Sequence, residues 1–403
     1  MAETPKVPAE SIAEKLLPFA LPDVGSAEAR AMTRSLRSGW LTSGPEVKAF
    51  ESEFATLTGA REAIAVNSCT AALHLALAAW DIGADDAVLV PDLTFVASAE
   101  VITYSGALPI VLDVNRADYL LDGETVERFL KEQCDTSGAH PVHRASKKTV
   151  RAIIPVHYGG RPCDLDQLSE IAKRHKLKLL EDAAHAFPTY YAGRILGTHS
   201  DATAFSFYAT KNLTTGEGGM LTTDDSEFAD RVRRMRLHGI RGQTYGRQRW
   251  QYDVVDQGFK YNMMDPCAAI GRVQLKRTAE TLEKRKLIHA AYDRAFARLQ
   301  GVRLTPRTPH ESAFHLYTIE LGPGARLSRD EFVDEMYRRG IAVSLHFIPI
   351  HRLTYYRDAY GLSAQQFPNA EEIFQRICSL PIYSALKMRN VRHVIEAVRE
   401  LLG

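Results

Sequence analysis

A single lysine, Lys211, stands where an apolar run gives way to Thr, Asn, Gly and Glu in FSFYATKNLTTGEGG (205–219). Such a composition favours a tight turn over a strand or a helix. A loop lysine is usually just solvated, but a desolvated one can lose its charge and attack carbonyl carbon as an amine. Asp182 ends another apolar run, LKLLED, where a carboxylate is either a helix cap or an ionised group that needs a cationic partner. These two residues predict an amine paired with a carboxylate.

Two further features supply an anion site and a flat apolar group. Ser68 and Thr70 follow the run EAIAV and open an apolar helix, whose N-terminus offers unpaired N–H groups and a positive dipole end. An ordinary N-cap explains the same residues, because Ser and Thr are preferred at that position. Phe95, in PDLTFVAS, follows the run AVLVP, and core packing is the alternative for a lone Phe. Ser206 lies on the same short segment as Lys211.

Taken together, these residues fit one cofactor, pyridoxal 5′-phosphate (PLP). It needs an amine for its aldehyde, a carboxylate for its pyridinium nitrogen, an apolar group against its ring and an anion site for its phosphate. Lys211, Asp182, Phe95 and Thr70 with Ser206 supply these in turn. No G-K-[ST] follows TTGEGG and no G-x-G-x-x-G opens a helix, so nucleotide hydrolysis and hydride transfer lack their motifs. Clusters at metal-ligand spacing are also absent, so no metal is expected.

The elements that position these residues alternate along the first part of the chain. Short apolar runs such as EAIAV, AVLVP and LKLLED are interleaved with helical patterns such as TAALHLALAAW and DLDQLSEIAKRHK. This alternation predicts an α/β fold with a mostly parallel sheet between helices, in which sites lie at the carboxyl ends of strands. A polar, loop-like insertion is expected at 134–148.

Near residue 265 the pattern changes to one long helical stretch, AAIGRVQLKRTAETLEKRKLIHAAYDRAFARL. It is followed by FHLYTIE, a helix, an expected strand IAVSLHF and a terminal helix VRHVIEAVRELL. We therefore predict a large cofactor-binding domain at 1–265, with an N-terminal arm. Residues 266–403 are predicted to form a linking long helix and a smaller C-terminal α/β domain.

Composition excludes several classes of protein. The 403 residues are 45% hydrophobic and 25% charged, typical of a globular chain with a large core. A net charge of +1 without any basic block argues against a nucleic-acid partner. The five cysteines are widely spaced and include no C-x-x-C pair, which argues against a disulfide framework or a zinc site. With no signal peptide and no transmembrane run, we expect a cytoplasmic protein without a membrane partner.

A series of motifs runs along nearly the whole chain: GWLTSGPEVKAFESEFA, NSCTAALHLAL, PDLTFVAS, PVHYGGRPCDLDQL, EDAAHAFPTYYAGRILGT, FSFYATKNLTTGEGG, HGI and YNMMDPCAAIGRVQL. In this order they resemble the DegT-type nucleotide-sugar aminotransferases. EDAAHA together with RICSLPIYSAL resembles the branch that aminates C4 of a UDP-keto-sugar, including the aminoarabinose-forming enzymes of lipopolysaccharide decoration. The resemblance implies a type I PLP-dependent aminotransferase fold and a homodimer whose active sites lie at the subunit interface.

The resemblance also assigns residues, position by position. Lys211 matches the family's Schiff-base lysine and Asp182 its pyridinium partner, and both are predicted to be catalytic. The predicted contacts of the cofactor ring and phosphate are Phe95, Thr70, Ala71 and Ser206, with Asn262 reaching the phosphate from the neighbouring subunit. His185 stands where many members carry Gln, and either the phenolic oxygen of PLP or the substrate is its expected partner. The predicted substrate contacts are Trp40, Thr42, His346, His351 and Tyr355.

The reaction that the resemblance implies moves an amino group from L-glutamate to a ketone, at C4, of a nucleotide-diphosphate keto-sugar. Two alternatives stay open at the level of the sequence. One is a PLP-dependent sugar dehydratase, although the branch known by resemblance carries His at the position of Lys211. The other is a regulatory family member without catalysis, against which the full set of Lys211, Asp182 and phosphate-site residues argues. The nucleotide, the sugar and the pathway have no signature in the sequence.

Overall fold

The computed structural model of the protein describes residues 16–242 and 252–403. In this part of the chain the helices are α1 Ser26–Ser38, α2 Pro45–Thr58, α3 Cys69–Ala79, α4 Ala97–Tyr104, α5 Gly123–Gln133, α6 Leu165–His175, α7 Ser226–Met235, α8 Asp265–Lys276, α9 Thr278–Phe296, α10 Arg329–Arg338, α11 Thr354–Tyr360, α12 Pro368–Arg376 and α13 Met388–Leu402. The strands are β1 Glu62–Val66, β2 Asp86–Pro91, β3 Leu108–Leu112, β4 Cys134–Asp135, β5 Val142–His143, β6 Thr149–Ile153, β7 Lys178–Asp182, β8 Tyr190–Tyr191, β9 Arg194–Ile195, β10 Ala202–Ser206, β11 Gly219–Thr223, β12 Ile240–Gly242, β13 Tyr252–Val254, β14 Val302–Leu304, β15 Tyr317–Leu321 and β16 Ile377–Leu380.

A large sheet forms the centre of the first part of the chain. Its main path runs β1-β11-β10-β7-β6-β2-β3, and β10, β7, β6, β2 and β3 are parallel, whereas β11 runs against both of its neighbours. These strands are short runs of Val, Ile, Leu and Ala that are buried on both faces, as helix-covered parallel sheets require. The carboxyl ends of β2, β7 and β10 therefore meet at one edge of the sheet.

Helices cover both faces of this sheet. Helix α3 (CTAALHLALAA) is apolar nearly all round, and nine of its side chains are buried because it lies between the sheet and α4, α7. Ser68 caps its N-terminus by accepting the N–H of Ala71 at 3.1 Å. The outer helices α5, α6 and α7 are amphipathic and begin at the carboxylate caps Asp122, Asp164 and Asp225. Because β1 runs in the same direction as β10, the N-terminus of α3, which follows β1, lies at the same sheet edge as the strand ends.

The last part of the chain is built on a small antiparallel sheet, β14-β15-β16. Helices α9, α10 and α13 pack against it around buried side chains that include Tyr292, Phe332 and Val394. We call the region of the large sheet the large domain and the region of the small sheet the small domain. The α/β fold class is confirmed, while the boundary at 265/266 stays a prediction.

Three local predictions differ from the structure. The expected single long helix is wrong, because the chain breaks at Arg277 between α8 and α9; its guanidinium binds Glu28 and Asp23 near α1 instead. The expected strand IAVSLHF is reduced to isolated bridges at Ile341 and Ser344. The insertion at 134–148 is not all loop, since β4 and β5 form a hairpin beside β6. Across residues 16–242 and 252–403, no helix is long and apolar enough to cross a membrane.

Candidate active site

A cavity of about 500 Å³ opens at the sheet edge where β2, β7 and β10 end. Seven of the residues predicted from the sequence line it: Lys211, Asp182, His185, Phe95, Thr70, Ser206 and His346. Ala71 is buried just behind Thr70 in α3. The remaining predicted residues do not line the cavity of this chain; they are Asn262, Trp40, Thr42, His351 and Tyr355.

Lys211 is held by a loop that folds back on itself between β10 and β11. Phe207 anchors the loop at both ends, because its N–H donates to Gly218 O and its carbonyl accepts the N–H of Thr215, at 2.8 and 2.9 Å. Gly216 turns the chain in the left-handed region at φ +83°, which explains a glycine there. The Gly-rich sequence after Lys211 thus forms a compact turn that presents the lysine to the cavity.

The surroundings of Lys211 lower the pKa of its ammonium group to about 8. Burial is the main cause, since desolvation disfavours the charged form, while Cys69 and Asp182 partly oppose it. An amine with this pKa is far more often neutral near pH 7 than an ordinary lysine. Lys211 is therefore prepared to act as a nucleophile or as a proton acceptor.

Asp182 ends β7 and is 5% exposed. Its carboxylate accepts the hydroxyl of Ser98 at 2.7 Å and the N–H of Ala184 at 3.0 Å, and the hydroxyl of Thr94 in turn bonds Ser98 at 2.7 Å. These bonds fix the direction of the carboxylate from two sides. Ser98 was not predicted; its place at the second position of α4, at the end of the motif PDLTFVAS, was the available signal.

The N-terminus of α3 lies beside the loop of Lys211. Thr70 and Ser206 reach the cavity from the two sides of this junction, together with Ser68. Gly219 allows the approach, because a Cβ on it would lie 2.5 to 2.6 Å from the backbone of Ser68 and Cys69. Backbone N–H groups and hydroxyls are thus concentrated at one end of the cavity, which suits a phosphate.

Two aromatic side chains that line the cavity contact each other. The ring of Phe95 is 58% exposed in this chain and lies 5.7 Å from the ring of Phe347. Phe347 in turn stacks on His185, with centroids 5.5 Å apart. Phe347 was not predicted, because it sits on an irregular segment far along the chain.

Three histidines line the cavity, and all three are neutral. Burial and the nearby Lys211 place the pKa of His185 and of His315 well below the ordinary value and lower that of His346 to about 3. The N–H of Gly159 donates to Nδ1 of His185 at 3.3 Å, so the proton of His185 is on Nε2. His185 is consequently a hydrogen-bond donor to whatever occupies the cavity.

His315 is a cavity residue that the sequence analysis did not single out. Its ring lies 4.4 Å from that of His185. Asn212 holds it: the amide of Asn212 donates to Ala313 O at 2.7 Å, so its oxygen accepts Nδ1–H of His315 at 3.0 Å. The available signal was a polar pair, Asn212 directly after the lysine and His315 two residues before β15.

Asn262 lies outside the cavity and is tied to the segment that carries Thr42. Its amide donates to the hydroxyls of Thr42 and Ser43 at 3.1 and 2.9 Å, and Lys260 donates to its oxygen. Asp265 reinforces the same contact by accepting the N–H of Gly44 at 2.7 Å. These residues form one surface, which we call the 42/262 surface, apart from the cavity of their own chain.

His351 and Tyr355 are also apart from the cavity. His351 is 2% exposed, and both of its ring nitrogens contact carboxylates, those of Asp92 and Glu371. Tyr355 is exposed on α11, with its ring against Tyr356 and Tyr360. The structure thus gives His351 a different environment from the substrate pocket for which it was predicted.

The donor set of the cavity fits PLP. An amine with a lowered pKa, a fixed carboxylate, an aromatic face and a helix N-terminus with hydroxyls correspond to the aldehyde, pyridine nitrogen, ring and phosphate of that cofactor. The close approach that Gly219 permits leaves the N–H end of α3 open to the cavity. Lys211, Asp182, Phe95, Thr70 and Ser206 could therefore hold the group.

Comparison with known proteins identifies the family to which most of the chain belongs. Residues 22–399 match the DegT/DnrJ/EryC1/StrS aminotransferase family model. The spore coat polysaccharide biosynthesis protein SpsC of Bacillus subtilis is 41% identical over 394 residues, which cover 96% of this chain and 97% of SpsC.

Solved structures agree in fold. Spr1654 from Streptococcus pneumoniae, assigned as a sugar aminotransferase, is 31% identical with a TM-score of 0.86. The match covers 96% of this chain and 97% of its PMP-form or 100% of its PLP-form. The aminotransferase TlmJ from Streptoalloteichus hindustanus is 30% identical with a TM-score of 0.85, over 96% of this chain and 98% of that one. The predicted fold, cofactor and enzyme class are confirmed: the protein is a PLP-dependent sugar aminotransferase and belongs to the DegT/DnrJ/EryC1/StrS aminotransferase family.

Proposed function

We propose that the protein transfers the amino group of L-glutamate to a ketone at C4 of a nucleotide-diphosphate keto-sugar. The observation that carries this proposal is the amine of Lys211, with its lowered pKa, sharing one cavity with the fixed carboxylate of Asp182. The choice of donor, nucleotide and carbon rests on the resemblance of EDAAHA and RICSLPIYSAL to the aminoarabinose-forming branch. The name of SpsC, a polysaccharide biosynthesis protein, supports a sugar destined for a glycan.

When bound, PLP supplies an aldehyde that accepts the amino group and a ring that takes up electrons from the reacting carbon. Lys211 would bind the aldehyde, and Asp182 would hold a proton on the pyridine nitrogen. Thr70, Ser206 and the N–H groups of α3 would bind the phosphate, and Phe95 would cover one face of the ring. His185, as an Nε2–H donor, would bind an acceptor oxygen of either the cofactor or the substrate.

Lys211 is also the proton carrier of the proposed reaction. Its neutral Nζ would accept the proton from the Cα of L-glutamate in the first half of the reaction, and its ammonium form would donate a proton to the sugar carbon in the second half. The lowered pKa favours the neutral form that the first step needs. Because the rings of His185, His315 and His346 are neutral, none of them places a positive charge beside the ammonium form of Lys211.

The test is the absorption spectrum of the purified PLP-loaded protein before and after addition of L-glutamate, with Lys211→Ala alongside. We expect the visible band of wild type to move to shorter wavelength and the variant to show no such change. Wild type converted by L-glutamate is then incubated with UDP-, GDP- and dTDP-linked 4-keto-sugars, and mass spectrometry identifies the aminated product. A spectrum that does not change with L-glutamate but changes with another amino acid would overturn L-glutamate as the donor. Amination at C3 would overturn C4 as the aminated carbon.

We further propose that the protein acts as a homodimer whose partner completes each site. Asn262 and Thr42 are joined on the 42/262 surface, outside the cavity of their own chain, and the apolar side chains of Leu41 and Met264 flank them at 50% and 51% exposure. An exposed apolar pair of this kind suits burial against a second copy. Asn262, Thr42 and Trp40 would then reach the cavity of the neighbouring subunit.

Mixing two inactive variants tests this arrangement. Lys211→Ala removes the amine of one site, and Asn262→Asp would place a repelling charge near the phosphate of the neighbouring site. If the sites are shared, mixed dimers contain one intact site, and activity returns after subunit exchange. Mixtures that stay as inactive as the separate variants, with subunit exchange shown by mass, would contradict the proposal.

A further inference from the structure

A charged cluster lies where the segment before α11 and helix α12 pack against the large sheet, next to the end of β2. Asp92 follows β2, His351 lies on the segment before α11, and Glu371 is on α12, whose side chains Ala370 and Ile373 are buried in the core of the large sheet. The ring of His351 contacts Asp92 Oδ2 at 2.6 Å through Nδ1 and Glu371 Oε2 at 3.1 Å through Nε2. We call Asp92, His351 and Glu371 the clamp.

The contacts require a protonated ring. A carboxylate can only accept hydrogen bonds, so both nitrogens of His351 must donate, which only the imidazolium can do. Burial alone lowers the pKa of His351, but the bonds and charges of Asp92 and Glu371 outweigh it and raise the pKa above its ordinary value. Arg352 lowers the pKa of Glu371 to about 2, and therefore keeps that carboxylate ionised.

The clamp is attached to the segment that forms one wall of the cavity. Asp92 also accepts the N–H of Ile350 on its backbone oxygen at 3.0 Å and the N–H of His351 on Oδ1 at 2.9 Å. Three to five residues before these contacts, the same segment carries His346 and Phe347 into the cavity. On the other side, Asp92 precedes Phe95 by three residues.

From this geometry we propose that His351 is a positioning residue: bound between Asp92 and Glu371, it fixes the 344–351 segment, and thereby His346 and Phe347, against the cavity wall that carries Phe95. The protonated ring cancels charge between two carboxylates that come from separate segments of the chain. Once the proton is lost, the ring keeps one N–H and can serve only one carboxylate. The segment is therefore held most firmly below the pKa of His351.

The charged groups that face His351 come from several segments of the chain. Asp92 approaches from the end of β2, with Asp113 near it, and Glu371 approaches from α12, with Arg352 bonded to it. The ring itself stacks on Phe367, with centroids 5.1 Å apart. A change in the pH response of the segment can therefore be traced to His351 by removing its two carboxylates one at a time.

Hydrogen exchange measured by mass spectrometry tests the proposal without any sugar substrate. Protection of the amides of residues 344–353, relative to an unstructured chain at the same pH, is compared for wild type, His351→Gln and His393→Gln, whose histidine is exposed on α13. We expect His351→Gln to lose about tenfold or more of this protection at pH 6, as loss of a charged hydrogen bond implies. Wild-type protection should fall as the pH rises through the pKa of His351, whereas the variant should lack this step.

Two further measurements separate positioning from general stability. The induced circular dichroism of bound PLP should weaken in His351→Gln at unchanged PLP content, and it should stay unchanged in His393→Gln. In Glu371→Gln the fall of protection should move to lower pH, because His351 loses one of the carboxylates that raise its pKa; this variant decides the question if His351→Gln does not fold. Unchanged protection and dichroism in His351→Gln, or a loss spread equally over α3 and α9, would overturn the proposal.

Discussion

The two walls of the cavity are held in different ways. The cofactor wall, with Lys211, Asp182, Thr70 and Ser206, stands on the ends of β7 and β10 and on the first turn of α3. Parallel pairing of β7 with β10 fixes the strands that end at Asp182 and Ser206, and the backbone bonds of Phe207 fix the loop that carries Lys211. The opposite wall, with His315, His346 and Phe347, stands on irregular segments of the small domain.

Side chains distant in sequence fix the second wall. Asn212 holds His315 at 3.0 Å, Ser379 holds His346 at 2.9 Å, and Asp92 holds the segment through His351. A sheet edge is rigid and suits chemistry that must be the same for every substrate, whereas loops can vary without loss of the fold. We infer that the cofactor wall governs reaction and the second wall governs substrate choice.

The largest expected effect is on turnover and comes from Lys211 in the cofactor wall. Lys211→Ala should lower turnover by at least about four orders of magnitude, because it removes both the nucleophile and the proton carrier. PLP should still bind through the phosphate site, and single-turnover absorbance with L-glutamate checks the rate. Residual turnover within tenfold of wild type would place the proton carrier elsewhere and break the comparison.

A second prediction compares Asp182, in the cofactor wall, with Ser98, which donates a hydrogen bond to it. Asp182→Asn should slow the L-glutamate half-reaction about a thousandfold, because the charge that holds the pyridine proton is lost. Ser98→Ala should slow it only about tenfold, because the carboxylate remains and loses one hydrogen bond, the 2.7 Å contact. Equal effects of the two substitutions would mean that orientation, not charge, is what Asp182 supplies.

The sequence predicted the cofactor wall because that wall follows from local patterns. Asp182 closes an apolar strand and Lys211 lies on the loop after another, so parallel pairing of the two strands brings both residues to one edge of the sheet. His315, Ser98 and Phe347 escaped because their places depend on packing between distant segments. His351 shows the same limit. It was predicted to contact the substrate, but packing between distant segments places its ring between two carboxylates.

The pH dependence of cofactor capture tests the electrostatics of the cofactor wall. Only neutral Lys211 attacks the PLP aldehyde, so the rate of PLP uptake by cofactor-free protein should rise about tenfold per pH unit and level off above the pKa. That pKa, about 8, places the inflection near pH 8. Stopped-flow absorbance between pH 6 and 10 measures it, and an inflection near the ordinary lysine value would show that burial does not tune this amine.

The smallest expected effect concerns the second wall. His346→Asn keeps a polar side chain but removes the ring that lies against Phe347 and bonds Ser379. Loss of one neutral hydrogen bond corresponds to about a three- to tenfold change, so the L-glutamate concentration for half-maximal conversion should rise by that factor. PLP affinity should stay unchanged, because none of the proposed contacts of the cofactor is removed, and His393→Asn serves as the surface control. If PLP affinity fell as much as apparent L-glutamate affinity, His346 would belong to the cofactor wall, and the division between a wall for reaction and a wall for substrate would have to be redrawn through the histidine cluster.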